Sequence, residues 1–110
     1  MAHPSKRKGD KAELEAARLL ANLTGYPVRR KLGAGRTDDT GDLEGVPDTT
    51  IEVKNYRSIS EGVNAGLADV EVEQANAGTT FGMAMIRRPS GRWFIAMTPE
   101  QWATYAREAT

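Results

Sequence analysis

The sequence predicts a single domain of the α/β (α+β) class, in which helices flank a central mixed β-sheet. The chain has 110 residues, which is the size of one domain. Helical periodicity occurs near the beginning, in the second half and at the end, and runs with strand-like alternation lie between these stretches. The resulting order, α-β-β-β-α-β-β-α, is typical of one sheet with helices packed on it, so we expect residues 1–110 to form one domain.

The first helix is predicted over residues 8–24, because its apolar side chains recur at close to 3.6-residue spacing. These side chains are Ala12, Ala16, Ala17, Leu19, Leu20 and Leu23. Gly25 favours a C-terminal cap, and Pro27 cannot continue a helix. A short strand over residues 28–32 and a polar, glycine-rich loop over residues 33–41 are expected to follow.

A hairpin is predicted in the middle of the chain. Residues 42–45 form its first strand, residues 46–49 carry the Pro and Asp of a tight turn, and residues 50–56 form the returning strand. Residues 57–66 are expected to be a loop, and residues 67–76 a helix.

The last part of the chain is predicted to contain a second hairpin and a helix. Residues 80–87 and 92–97 are its strands, and Thr98-Pro99-Glu100-Gln101 has the N-cap Thr, first-turn Pro and N3 Gln of a helix start. Large apolar side chains here are expected in the core, and any that form an exposed patch are candidates for a dimer interface. They are Met83, Met85, Trp93, Phe94 and Trp102.

Charge is unevenly distributed, although the formal net charge is zero. Residues 1–36 carry nine Lys or Arg against three acids, residues 37–86 two against ten, and residues 87–110 four against two. A basic flank beside an acidic centre is typical of a protein that binds phosphates with one part and cations with another. Charges that simply cover a surface would give a similar distribution. Residues 1–7 are expected to be a flexible basic N-terminus.

Several kinds of site are excluded by composition. The chain has no cysteine, which excludes a disulfide framework, a zinc-thiolate centre and a cysteine nucleophile. His3 is the only histidine and lies near the terminus, so a Ser-His-Asp arrangement is not expected. The absence of a long apolar run and of a signal-peptide pattern leads us to expect a cytoplasmic protein without a membrane segment.

An acid and a lysine lie two residues apart on the predicted strand that returns from the hairpin. Glu52 and Lys54 therefore share one face, opposite Ile51 and Val53, and both can reach one phosphate or one metal ion. So short a motif often arises by chance, and an ordinary ion pair on a solvated strand face is the alternative.

Two further acids extend this motif. Asp42 lies on the neighbouring strand of the hairpin, where two carboxylates beside one lysine favour a hard divalent cation between them, although Asp42 would also suit the start of a strand. Glu13 lies in line with the apolar stripe of the first helix, where a buried carboxylate needs compensation; at the stripe's edge it would instead reach solvent. Asp48 follows Pro47 in a literal Pro-Asp pair, but its place in the turn favours a structural role.

In these motifs the sequence resembles the archaeal-type Holliday-junction resolvases and related phage nucleases of the PD-(D/E)XK superfamily. The resemblance runs through Lys8-Gly9, Glu13, Gly25-Tyr26-Pro27-Val28, Arg30, Gly41-Asp42-Leu43 and Ile51-Glu52-Val53-Lys54. It covers roughly the first half of the chain, and the second half matches only in the order of its elements. The loop over residues 33–41 is longer than in those enzymes. The resemblance implies a restriction-endonuclease-like core.

The resemblance also implies a mechanism. Asp42, Glu52 and the Val53 carbonyl would bind Mg²⁺ or Mn²⁺, Glu13 would complete the cluster directly or through water, and Lys54 would orient the attacking water or stabilise charge on the phosphate. A set of basic residues would bind DNA, and the enzyme would be a homodimer that nicks each strand of a four-way junction. This set comprises Arg30, Lys8, Lys11, Lys31 and Arg36.

The sequence thus predicts a structure-selective DNA endonuclease that resolves Holliday junctions or related branched DNA by paired nicking. One alternative keeps the nuclease but changes the substrate to ordinary duplex, which would be nicked or cut in a restriction-like way. An alternative of another class is a non-catalytic DNA-binding module on the same fold, and a small interaction domain is a further one. The two carboxylates disfavour the pure binder, because a phosphate-binding site has no need of acids.

Overall fold

A computed structural model describes residues 4–32 and 39–109, with side chains from residue 9 onward in these ranges. Within them lie three helices and five strands, which confirms the predicted mixed sheet with packed helices. In chain order the elements are α1 Pro4–Thr24, β1 Arg29–Arg30, β2 Leu43–Glu44, β3 Thr49–Lys54, α2 Ile59–Ala77, β4 Phe81–Arg87, β5 Trp93–Ala96 and α3 Pro99–Glu108.

The five strands form one sheet in the order β1-β2-β3-β4-β5. All neighbouring pairs are antiparallel except β3 and β4, which are parallel and joined by the crossover helix α2. In the β2–β3 hairpin, Leu43 pairs with Ile51. Because the pairing is antiparallel, this register sets Asp42 opposite Glu52 on the same face of the sheet.

The two faces of the sheet carry two separate apolar clusters. The larger cluster lies between α1 and the sheet, and comprises Ala12, Ala16, Ala17, Leu20, Val28, Leu43, Ile51, Val53, Met83 and Met85. The smaller cluster lies under α2, and comprises Val70, Ala84 and Ile86. Glu52 and Lys54 pair with Ala84 and Ile86 of β4, so both polar residues lie on the face that α2 covers.

Glycines let α2 approach the sheet closely. A Cβ at Gly66 would stand 2.9 Å from the Ala84 Cβ and 3.4 Å from the Lys54 Cγ, and a Cβ at Gly62 would touch Ile86. With only hydrogen at these positions, the helix backbone lies directly against β3 and β4. Residues further along the same side of α2, such as Glu73, are therefore also buried against the sheet.

Two helices begin earlier than predicted. Helix α1 starts at Pro4 and not at residue 8. Proline suits the first turn of a helix, because backbone N–H groups there have no partner within the helix and proline has no N–H to leave unpaired. Helix α2 starts at Ile59, so the loop predicted over residues 57–66 is wrong over most of its length. Its N-cap is Ser58, whose hydroxyl accepts a hydrogen bond from the Glu61 N–H.

The start of α3 agrees with its prediction. Thr98 and Gln101 form a reciprocal capping box, and Pro99 occupies the first turn. The expectation that Trp102 lies in the core is wrong: it is 63% exposed, and Tyr105 instead anchors α3 by stacking on Phe81. None of the described helices is both long and apolar enough to cross a membrane.

Candidate metal and phosphate site

The β2–β3 hairpin brings Asp42 and Glu52 together. The Asp42 N–H donates to the Ile51 carbonyl at 2.8 Å, and the Val53 N–H donates to Asp42 Oδ2 at 2.8 Å. Gly41 allows this approach, since it has a φ of +106° and a Cβ there would stand 3.1 Å from the Ile51 carbonyl oxygen. The Asp42 and Glu52 carboxylates lie close enough to interact, and this proximity raises the pKa of Asp42.

Lys54 lies on the same face as Glu52 and is shared between two acids. Its Nζ is 3.8 Å from Glu52 Oε2 and 2.6 Å from Asp69 Oδ2 on α2, and it stands 5.6 Å from the centre of the Tyr56 ring. Burial alone would lower the pKa of Lys54, but the hydrogen bond that its ammonium group donates to Asp69 and the negative charges of Glu52 and Asp69 together raise it. Lys54 is therefore a firmly protonated cation beside the acid pair.

Two acids that the sequence argument did not single out complete the cluster. Glu73 of α2 is only 3% exposed, and one carboxylate oxygen each of Asp39, Glu52 and Glu73 lie within 4.8 Å of one another. Asn76 fixes the backbone at this point, because its Nδ2 donates to the Asp39 carbonyl at 2.9 Å. Asp39 is exposed and closes the cluster from the solvent side.

A sequence signal for Glu73 exists but depends on where α2 begins. Glu73 stands three residues after Val70 and seven after Gly66, which places it on the stripe that faces the sheet. With the helix predicted to start only at residue 67, Gly66 lay outside it and the stripe was too short to recognise. Asp39 carries no comparable signal, because a loop has no periodicity.

Electrostatics in the cluster disfavours four ionised carboxylates. Burial is the largest cause that raises the pKa of Asp42 to about 8, and contact with Glu52 adds to it. Burial likewise raises the pKa of Glu52 to about 8 and that of Glu73 to about 7, with mutual repulsion as a further cause. Within the described residues, Glu73 Oε1 is buried and accepts no hydrogen bond. Without an added cation, the folded cluster therefore retains protons.

The donor set fits a hard divalent cation. The ligand atoms are carboxylate oxygens, which Mg²⁺, Mn²⁺ and Ca²⁺ prefer, and the chain contains no cysteine and only one histidine that could favour a softer metal. A bound cation would remove the repulsion between the acids. The acidic cluster is thus able to hold a metal ion.

Glu13 is near the cluster but has a partner of its own. Arg30 Nε donates to Glu13 Oε1 at 3.1 Å, and Arg30 Nη2 donates to Asp10 Oδ1 at 2.8 Å. Arg30 thus supplies the compensation that a buried Glu13 carboxylate was expected to need. Burial and the nearby charge of Asp42 nevertheless raise the pKa of Glu13. Glu13 therefore interacts electrostatically with the acidic cluster.

The other predicted DNA-binding residues have different surroundings. Lys31 Nζ donates to both the carbonyl and the hydroxyl oxygen of Thr40 at 3.0 Å, so it holds the chain that leads to Asp42. Lys11 is exposed on α1. The side chain of Lys8 and the whole of Arg36 lie outside the described residues.

Asp48 has the structural role expected of it. It lies at the tip of the hairpin with a φ of +53°, and its Oδ1 accepts a hydrogen bond from the Thr80 N–H at 2.9 Å. This contact ties the hairpin to the start of β4 and lowers the pKa of Asp48. The Pro-Asp pair is therefore separate from the acidic cluster.

A groove opens beside Lys54 at the carboxyl ends of the parallel strands. It is lined by Val53, Lys54, Asn55, Tyr56 and Arg57, with Gly9 and Glu61 at its sides. Asn55 also borders two adjoining grooves, which carry Lys11 and Arg87. Basic side chains thus flank the solvent path to the lysine.

No protein-family model, curated protein or solved structure matches this chain.

Proposed function

We propose that the protein is a metal-dependent endonuclease that acts on branched DNA, with Asp42, Glu52 and Lys54 at its centre. The observation that carries the proposal is the hairpin register, which sets the two carboxylates side by side, with Lys54 Nζ 3.8 Å from Glu52 Oε2. An acid pair able to hold a cation, beside a fixed positive charge, is the set of groups that phosphodiester hydrolysis needs.

Each group has a task in the proposed reaction. Asp42 and Glu52 would hold Mg²⁺ or Mn²⁺, which would supply Lewis acidity for the hydrolysis. The Val53 carbonyl is a further candidate ligand. The Val53 N–H points at Asp42, and because the N–H and C=O of one strand residue point to the same side, the Val53 carbonyl also lies on the Asp42 side of the strand. Lys54 stabilises charge that develops on the phosphate, and Asp69 holds its ammonium group in place.

Arg30 remains a candidate phosphate contact although it already binds two acids. Those contacts use its Nε and one Nη2 donor, and a guanidinium group has five N–H donors in all. Glu13 and Asp10 then act as positioning residues, since they fix the plane of the guanidinium group. Removal of Glu13 is expected to loosen Arg30 as well as to change the charge near Asp42.

The groove beside Lys54 is the proposed path of the DNA backbone. Arg57 is exposed there, and Lys11 and Arg87 border the adjoining grooves at Asn55. A larger groove lies between the end of α2 and the start of α3, but two acids and no basic side chain line it within the described residues. Phosphate groups would be repelled from that larger groove.

The choice of branched DNA and of a homodimer rests on the resemblance to junction resolvases. Paired, symmetric nicks require two active sites related by a twofold axis, which a homodimer supplies. Labelled four-way junction, matched duplex and single strands, each with and without Mg²⁺, separate the alternatives in one assay. Symmetric cuts on the junction alone support the proposal, whereas equal cutting of duplex favours a nicking or restriction-like enzyme.

Replacement of Glu52 is the sharpest test of the site. Glu52→Ala is expected to reduce junction cleavage by more than about a hundredfold, because it removes a metal-binding and charge-organising group, while DNA binding is retained. Glu71→Ala is the matched control, since Glu71 is an exposed acid on α2 outside the cluster. Unchanged cleavage by Glu52→Ala contradicts the assignment, and binding without cleavage by the wild-type protein in both Mg²⁺ and Mn²⁺ favours a non-catalytic module.

A further inference from the structure

The acidic cluster is larger than the proposed reaction needs. Asp42 and Glu52 suffice for one cation, yet Glu73 and Asp39 place two further carboxylates beside Glu52. Glu73 lies on the sheet-facing stripe of α2, where an apolar residue would pack against Val70 and its neighbours. A buried acid at such a position costs several kcal/mol unless something compensates it.

The contacts of Glu73 identify what is missing. Its side chain is 3% exposed, its Oε1 accepts no hydrogen bond within the described residues, and the charged groups that act on it are the acids Glu52, Asp39 and Asp42. Lys54, the cation beside Glu52, is already bound by Asp69 at 2.6 Å. In the described part of the chain, Glu73 is thus surrounded by other carboxylates and lacks a positive charge or a donor to balance its buried oxygen.

We propose that Asp39, Glu52 and Glu73 form a second divalent-cation site, which shares Glu52 with the site at Asp42. One oxygen from each of the three residues lies within 4.8 Å of the other two, so a single ion between them is within reach of all three. The three ligands come from the loop before β2, from β3 and from α2. The second ion therefore ties the hairpin and the crossover helix together.

A bridging carboxylate sets the relation between the two ions. Glu52 would be shared by both ions, and together the two ions would supply charge neutralisation for a phosphoryl transfer. This use of the second ion rests on the proposed function. The existence of the second site does not, because it follows from the burial and contacts of Glu73.

Titration of the metal-free protein with Mn²⁺ tests the inference without DNA. Calorimetry and electron paramagnetic resonance are expected to find two Mn²⁺ ions per wild-type chain, one in Glu73→Gln and one in Asp39→Asn. Glu71→Gln, a change on the exposed side of the same helix, is expected to keep both ions. A single ion in the wild-type protein, or two ions in both site variants, overturns the inference.

Two further variants keep the result unambiguous. Asp39 is exposed, so Asp39→Asn carries the test if Glu73→Gln does not fold, as judged by circular dichroism. Asp42→Asn is expected to lose the other ion and to retain the one at Glu73. If Asp42→Asn binds Mn²⁺ as the wild type does while Glu73→Gln loses an ion, the proposed nuclease centre fails and the second site stands.

Discussion

The stability of the metal-free protein is expected to fall as the pH rises from about 5 to about 8. Burial raises the pKa of Asp42 and Glu52 to about 8 and that of Glu73 to about 7, well above the values of the unfolded chain. Between the unfolded and folded pKa values, the folded protein binds more protons than the unfolded chain. The free energy of unfolding therefore decreases with pH over this interval.

The size of the effect follows from the number of retained protons. Each retained proton lowers the free energy of unfolding by about 1.4 kcal/mol per pH unit. Asp42 and Glu73 both interact with Glu52, so the three acids do not titrate independently, and we count about one retained proton for the three together. The resulting free energy is then reduced because the acids are still partly screened by solvent. One proton over the three pH units of this interval corresponds to about 4 kcal/mol. After this reduction, a loss of roughly 1–3 kcal/mol is expected, against a total of about 5–15 kcal/mol for a domain.

Urea unfolding at a series of pH values, with a chelator and with excess Mn²⁺, measures this effect. Mn²⁺ at about a hundred times its dissociation constant is expected to add about 2.7 kcal/mol and to remove the decline, because metal binding displaces the protons. Glu52→Gln is expected to flatten the metal-free decline, and Glu71→Gln to leave it unchanged. Metal-free stability that rises or stays level over this interval would refute the reasoning. The chain has a single histidine, so few other groups titrate there.

Two further predictions concern the groove and the packing of α2. Arg57→Ala is expected to weaken DNA binding, and to reduce the slope of log K against log salt concentration by about 1, because one phosphate contact is lost. Binding isotherms at several salt concentrations measure this slope. An unchanged slope would mean that the DNA does not follow the groove at Arg57. Gly66→Ala is expected to destabilise the protein by about 1–3 kcal/mol, because the new Cβ meets Ala84 at 2.9 Å. Gly9→Ala in α1, where nothing lies within 4 Å, is the control and is expected to stabilise in the same urea unfolding assay; equal effects at the two glycines contradict the packing argument.

The sequence was sufficient to predict the central hairpin and its acids. Pro47 and Asp48 mark the turn and alternation marks the returning strand, so the sequence predicts that Asp42 lies near the face that carries Glu52. The register itself, with Leu43 opposite Ile51, comes from the structure. Local turn chemistry and strand periodicity are both properties of neighbouring residues. They can therefore be read without knowledge of the tertiary structure.

The α2 side of the site could not be predicted in the same way. The glycines at 62 and 66 indicate a loop on propensity alone, whereas in the structure they allow the helix backbone to lie against β4. Only after that packing is known does Glu73 become a buried acid. The partners of Arg30 are equally non-local, since Asp10 and Glu13 reach it from α1 across the edge of the sheet.

The division of the two faces explains how so small a chain tolerates this acidic cluster. Among the described residues, ten buried ones pack between α1 and the sheet, and three form the cluster under α2. The α1 face therefore carries most of the apolar burial that stabilises the fold. Burial of Glu52 and Glu73 on the α2 face costs desolvation free energy, which the apolar burial on the α1 face offsets. A bound cation would remove this cost. On this argument, substitutions in the α1 cluster change stability with or without metal, whereas those at the two acids change stability chiefly through the ion.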